Sequence, residues 1–163
     1  MQEILVKLDR CLGCKSCELA CAVEHSETGE LFSAIFEATP PVARVFVEAG
    51  EEFNFPLQCR HCAEPRCVKG CISGALYRDE ASGLVHHDQE RCVGCWMCVM
   101  TCPFGVITQD RRQKVALKCD RCPDRDVPAC VRACPTRAMT MEEVPAYLKG
   151  QRKEFLTNFK AGE

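Results

Sequence analysis

Apolar and β-branched residues come in short runs along this chain, each closed off by turn residues. Ile4-Leu5-Val6-Lys7-Leu8, Val45-Phe46-Val47 and Gly83-Leu84-Val85-His86 are such runs. Gly74-Ala75-Leu76-Tyr77, Gly105-Val106-Ile107-Thr108 and Ala138-Met139-Thr140-Met141 are three more. Runs of this kind predict short strands. Helical spacing is seen in three places. Glu18-Leu19-Ala20-Cys21-Ala22-Val23 predicts one or two turns. Leu31, Phe32, Ile35 and Phe36 fall at helical spacing inside a long insertion, 22–58, that then reaches Pro40-Pro41. Val144, Leu148, Phe155 and Phe159 lie roughly on one face of the tail, 142–163, with charges opposite, although Gly150 weakens the helix. The expected class is α+β, loop-rich, with short strands and helices arranged as hairpins.

Composition changes this picture. Hydrophobic residues make up 47% of the 163, but that figure includes sixteen cysteines, and aromatic residues are only 7%. The supply of ordinary core side chains is thin. Small domains with little core need metals or crosslinks to hold together. No apolar stretch reaches the ~18 residues that a membrane span requires, so no direct membrane insertion is expected. Residues 1–10 carry no signal peptide or twin-arginine motif, and a cytoplasmic location follows as the expectation.

The cysteines form four runs of four with one grammar. They are Cys11, Cys14, Cys17, Cys21; Cys59, Cys62, Cys67, Cys71; Cys92, Cys95, Cys98, Cys102; and Cys119, Cys122, Cys130, Cys134. The first and third match C-x2-C-x2-C-x3-C, the bacterial spacing for [4Fe–4S] ligation. Two spacer residues let the backbone curl around one centre and aim N–H groups at its sulfurs, while the fourth Cys leaves toward a neighbouring centre. Disulfides need an oxidising compartment. Zinc sites use separated pairs rather than triplets at one short step. Sixteen thiols in four sets suit four [4Fe–4S] clusters with none left over. Each oxidised four-thiolate cubane adds about −2, taking the formal −2 of the chain to about −10. A chain this negative is not expected to bind nucleic acid.

Four runs can pair as one-two and three-four, or nest as one-four and two-three, and spacing alone leaves both open. The short gap from Cys71 to Cys92 favours runs two and three as one module, about 53–112. Runs one and four, about 1–30 plus 113–141, then close on each other within a single unit of 1–163, with 142–163 as a C-terminal helix or tail.

The four runs in this order resemble the polyferredoxin electron-transfer subunits of complex redox enzymes. The opening Cys-Leu-Gly-Cys-Lys-Ser-Cys-Glu-Leu-Ala-Cys-Ala-Val-Glu-His-Ser is similar to the iron–sulfur protein that serves carbon monoxide dehydrogenase. The resemblance covers nearly the whole chain. It implies nested bacterial-ferredoxin-like modules and four ligand sets. These are Cys11, Cys14, Cys17, Cys134; then Cys119, Cys122, Cys130, Cys21; then Cys59, Cys62, Cys67, Cys102; and Cys92, Cys95, Cys98, Cys71. Ala22 and Ile72 stand where Pro103 and Pro135 follow the fourth Cys of the later runs. The partners implied are a catalytic redox subunit, namely carbon monoxide dehydrogenase, hydrogenase, formate dehydrogenase or a tungsten or molybdenum aldehyde oxidoreductase, and a soluble ferredoxin or other carrier.

Lys15, Arg60, His61 and Arg121 lie inside the runs. There they either tune a cluster or act as solvated loop charges. Trp96 and Met97 sit between Cys95 and Cys98, where they exclude water or simply pack. His86 and His87 read as strand residues rather than ligands. No nucleotide loop, nucleophile or acid–base pair appears, so the residues imply single-electron relay and no substrate site. Two other classes compete: an enzyme with a catalytic cluster, and a tether for a catalytic subunit.

Overall fold

The computed structural model describes residues 2–160; residue 1 of the expected outer module and 161–163 of the expected tail lie outside them. The strands form four two-stranded antiparallel ladders among these residues. β1 (Gln2–Val6) pairs with β8 (Met139–Glu143), placing Ile4 opposite Met141. β2 (Val45–Ala49) pairs with β3 (Asn54–Gln58), β4 (Leu76–Arg78) with β5 (Val85–His87), and β6 (Thr108–Asp110) with β7 (Val115–Leu117). The helices are short until the last: α1 (Ser16–Glu24), α2 (Leu31–Ile35), α3 (Arg66–Lys69), α4 (Met97–Thr101), α5 (Ala129–Arg132) and α6 (Val144–Lys160). Mixed helices and short antiparallel strands bear out the α+β class.

The apolar interior divides in two. One cluster joins Ile4, Val45, Val47 and Met139 to Cys17, Cys21 and Cys130, with Cys134 against it. The other joins Leu76, Val85, Ile107 and Ala116 to Cys98, with Cys67, Cys71, Cys92 and Cys102 against it. Thiols are therefore core side chains here. In step with this division, α1 packs on α5 and α3 packs on α4.

The insertion 22–58 does two different things. Its β2–β3 hairpin buries Val45 and Val47 beside Cys17 and Cys21. A short bond from the Val47 N–H to the Glu18 carboxylate, 2.5 Å, ties that hairpin to α1. Its α2 turns outward: Phe36 is 87% exposed and Phe32 71%, while only Ala34 is buried. The hairpin is packed into the core beside these thiols, and the large side chains of α2 face water. The tail helix is continuous through Gly150. It is held to the start of the chain by Glu154, which pairs with Arg10 at 2.9 Å and Lys7 at 3.6 Å. Phe155, Leu156 and Phe159 stay exposed.

Candidate metal centres

The first C-x2-C step of each run turns through a left-handed residue at its second spacer: Gly13, His61, Gly94 and Arg121, with φ of 69, 45, 63 and 67°. Glycine adopts this conformation freely, whereas His and Arg do so at a cost. At Gly94 a Cβ would lie 2.5 Å from the Lys114 carbonyl oxygen, so the backbone approach itself demands glycine. Lys15 and Trp96 repeat the left-handed turn one residue after the second Cys and start α1 and α4. The third Cys of runs one and three thus sits in the first turn of a helix, facing inward: Cys17 and Cys98 are both buried.

Two cavities are lined by thiols. One has Cys11, Cys14, Cys17 and Cys134 in its wall, with Val47, Pro56 and Met139 behind them. The other has Cys71, Cys92, Cys95 and Cys98, with Trp96, His87 and Ala116. The remaining thiols announce their neighbours electrostatically. Burial pushes the Cys130 thiol far up, and Cys119, Cys21, Cys122 and Cys17 push it further. Burial lifts Cys67 to about 11; Cys59 and Cys102 add to this and Lys118 opposes it. Burial likewise lifts Cys119 to about 12, with Cys59 and Cys21 as the charged thiol neighbours that add to it. Cys119 of run four therefore lies within electrostatic reach of Cys59 of run two.

Several fourth cysteines are met by backbone donors. The N–H groups of Arg44, Leu76 and Ala138 point at the sulfurs of Cys21, Cys71 and Cys134, at 3.2, 3.4 and 3.2 Å. Burial acts against the thiolate at Cys71 and Cys134. The surrounding N–H and hydroxyl donors outweigh it, and both thiols end below their ordinary value. Donors of this type stabilise sulfur that carries negative charge.

Beside Cys21 lies a polar cluster that the sequence did not announce. His25, which ends α1 four residues on, bonds the Cys21 carbonyl through Nδ1 at 2.7 Å and meets Asp120 through Nε2 at 3.2 Å. Arg44 Nη1 donates to Asp120 at 2.5 Å, and the Cys122 N–H donates to it at 3.0 Å. His25 is held up at about 9, because the bonds to Asp120 and Cys21 overcome its burial. The carboxyl of Asp120 lies far below its usual range despite burial, for the reciprocal reason.

The charged and aromatic residues within the runs separate cleanly. Lys15 and Arg60 are exposed, as solvated loop charges are. His61 and Arg121 are buried. Arg121 is neutralised by Glu3 and donates to the Gln2 carbonyl at 3.0 Å. Burial, helped by Lys118 and Arg121, drives His61 down to about 3. Its Nδ1 accepts from the Val85 N–H at 3.0 Å, which leaves the proton on Nε2, and that N–H has no hydrogen-bond partner among the described residues. Trp96 lines a thiol cavity, while Met97 is exposed. His86 and His87 lie in β5, with His86 stacked on Tyr77 at 5.5 Å. Sequence reasoning passed over Lys118, which is only 4% exposed, although it stands directly between an apolar strand and Cys119. The i, i+4 step from Cys21 to His25 was a usable signal for the Asp120 cluster.

The donor chemistry suits iron–sulfur groups. Every cysteine is a free thiol, thiols converge in sets, N–H donors face sulfur, and a buried imidazole N–H is left able to donate. The 4Fe-4S dicluster domain model matches residues 51–144, and a 4Fe-4S binding domain model matches 8–24. The chain belongs to the 4Fe-4S dicluster domain family. It is similar to the "Iron-sulfur protein" of Rhodospirillum rubrum, 41% identical over 155 residues, covering 85% of this chain and 80% of that one. It is 37% identical over 152 residues to the electron transport protein HydN of Escherichia coli K12, covering 83% and 85%. It is also 38% identical over 143 residues to the thiosulfate reductase electron transfer subunit PhsB of Salmonella typhi, covering 80% and 69%. Within the family it stands with the iron–sulfur electron-transfer subunits of oxidoreductases rather than with catalytic subunits.

Proposed function

We propose that this chain holds four [4Fe–4S] centres in nested sets and relays single electrons between a catalytic redox subunit and a second carrier, in the cytoplasm. The sets are Cys11, Cys14, Cys17 with Cys134; Cys119, Cys122, Cys130 with Cys21; Cys59, Cys62, Cys67 with Cys102; and Cys92, Cys95, Cys98 with Cys71. The observation that carries this is the pair of thiol-lined cavities, in each of which three cysteines of one run meet the fourth cysteine of another. The β1–β8 ladder, which brings the chain ends together beside Cys17 and Cys134, supports an outer module of runs one and four around an inner one of runs two and three. A [4Fe–4S] group supplies a reversible one-electron store when bound. The protein's part is to hold the thiolates, exclude water, and aim N–H donors and buried charges at them. The nearness of Cys119 to Cys59 supports a linear order of sets: run one, run four, run two, run three.

The matched relatives named for electron transport and for thiosulfate reductase electron transfer support a role beside a catalytic subunit. Among such partners are carbon monoxide dehydrogenase, hydrogenase, formate dehydrogenase and the tungsten or molybdenum aldehyde oxidoreductases.

The test uses anaerobically isolated protein. About sixteen irons per chain are expected. The Cys134→Ser variant alters the same EPR component as Cys14→Ser and leaves unchanged the component altered by Cys122→Ser. If Cys134→Ser and Cys122→Ser instead alter one component and Cys14→Ser another, the nesting is wrong. Far fewer irons would sink the four-centre reading altogether.

A further inference from the structure

The two halves of the molecule meet across one backbone unit. The N–H of Val85, in β5, donates to His61 Nδ1 of run two at 3.0 Å. The carbonyl of the same Val85 accepts from Lys118 Nζ at 2.5 Å, and Lys118 also donates to the Cys119 carbonyl at 2.7 Å. Val85 is 1% exposed, Lys118 4% and His61 6%. Run two and run four are therefore stitched together through a buried bridge.

The ammonium in that bridge has no carboxylate partner among the described residues. The other buried cation among them, Arg121, is neutralised by Glu3, and Arg44, partly buried, is paired with Asp120. Both hydrogen bonds of Lys118 go to neutral carbonyls. An isolated buried ammonium is strongly disfavoured unless negative charge lies near it. Asp120 lines the same small cavity as Lys118 but is already paired with Arg44 and His25. The other negative charge at the bridge is sulfur: Lys118 adjoins Cys119 in run four and reaches His61 of run two through Val85. Runs two and four belong to different sets. One cation is thus shared by the two sets that face each other at the junction. Among the described residues no buried lysine or arginine lines the cavities of the remaining two sets, around Cys14 and Cys95; Lys15 beside Cys14 is exposed and pairs with Glu18 at 3.8 Å.

We infer that Lys118 is a buried potential-setting cation at the crossing between the two halves, one that holds the two junction centres at higher reduction potential than they would otherwise have. The physical ground is that a fixed positive charge in a water-excluded site favours the more negative, reduced state of a nearby centre. The His61 Nε2–H, left without a protein partner in the same bridge, acts in the same direction. Lys118 is a positioning and tuning residue; it is not a ligand. The inference rests on the ligand sets proposed above.

The experiment is an anaerobic redox titration followed by EPR, on wild type and on Lys118→Met and Lys118→Arg, with components assigned by the cysteine variants. Iron content reports on the ligand sets, and midpoints report on Lys118. The expected result is full iron in Lys118→Met, lowered midpoints for the components assigned to Cys67 and Cys119, and unmoved midpoints for the other two. Lys118→Arg, which keeps the charge, returns the midpoints toward wild type. Unmoved junction midpoints in fully loaded Lys118→Met overturn the inference, since a merely structural lysine would leave them alone. If Lys118→Met loses iron, wild-type protein labelled with 15N at lysine Nζ decides. Pulsed EPR then shows a weak 15N coupling in a reduced junction centre, and its absence overturns the inference.

Discussion

Gly94 and His61 occupy equivalent places in two cysteine runs, and the chain asks different things of them. At Gly94 the Lys114 carbonyl closes over the turn, so that a methyl group has nowhere to go. Gly94→Ala should cost about 1–2 kcal/mol from the left-handed backbone, plus the clash. A lowered unfolding midpoint with loss of iron from run three is the expected outcome; an unchanged midpoint would mean that the turn relaxes freely. At His61 the same conformation is accepted because the imidazole is clasped by Val85 on one side. The glycines of runs one and three were legible from sequence, because C-x-G-C declares a tight turn. The His and Arg at the same place were legible only as cations near sulfur. Their burial depends on partners distant in the chain, Val85 for His61 and Glu3 for Arg121, that no local pattern names.

At the scale of elements, five of the six strands expected from apolar runs are present, with edges shifted by up to two residues. Ile4–Leu8 ends early because Leu8–Arg10 turns into a 3-10 helix. The sixth, Gly105–Thr108, reaches β6 only at Thr108, since Val106 and Ile107 are used as buried core before the ladder starts. β3 and β7 went unseen. β3 carries Pro56, which normally argues against a strand; in a two-stranded ladder its missing N–H costs nothing on the outer edge. β7 is three residues long and gains its identity from its partner β6. The tail helix was legible from its spacing, but where its apolar side chains go was not. α6 touches the rest of the chain through β8, through Tyr147, whose hydroxyl donates to the Val6 carbonyl at 3.5 Å and whose ring lies under Lys7, and through the largely solvent-facing pairs of Glu154, each worth about 1 kcal/mol or less. A chain stopped after Glu143 should keep its iron and its visible spectrum, with only a small change in unfolding midpoint. Loss of iron would show that the helix shields a centre. Phe155, Leu156 and Phe159 stay exposed on this helix.

For the whole molecule, the thin apolar supply and the thiol-filled core mean that iron and fold stand together. Burial raises Cys17 and Cys67 to about 11 and Cys119 to about 12, so without iron these thiols are protonated at neutral pH. Ligated thiolates hold no proton, hence the iron-free chain binds more protons than the loaded one. The loaded form is favoured as pH rises and weakened as pH falls. Iron release, followed by loss of visible absorbance in the presence of a chelator, should accelerate steadily on acidification and bring cooperative unfolding with it; release independent of pH would separate iron from fold. Three of the four ladders among the described residues join consecutive strands; the β1–β8 ladder joins distant positions, and that pairing was not legible because no local pattern names it. One of those ladders has a consequence for biosynthesis. β1 is synthesised well before its partner β8, with Gln2 opposite Glu143. At about 5–20 residues per second, the opening strand waits on the order of ten seconds for a mate. Throughout that interval Cys11, Cys14 and Cys17 wait without Cys134 and the β8 strand beside them, so the first run is the one most open to mis-metallation during synthesis.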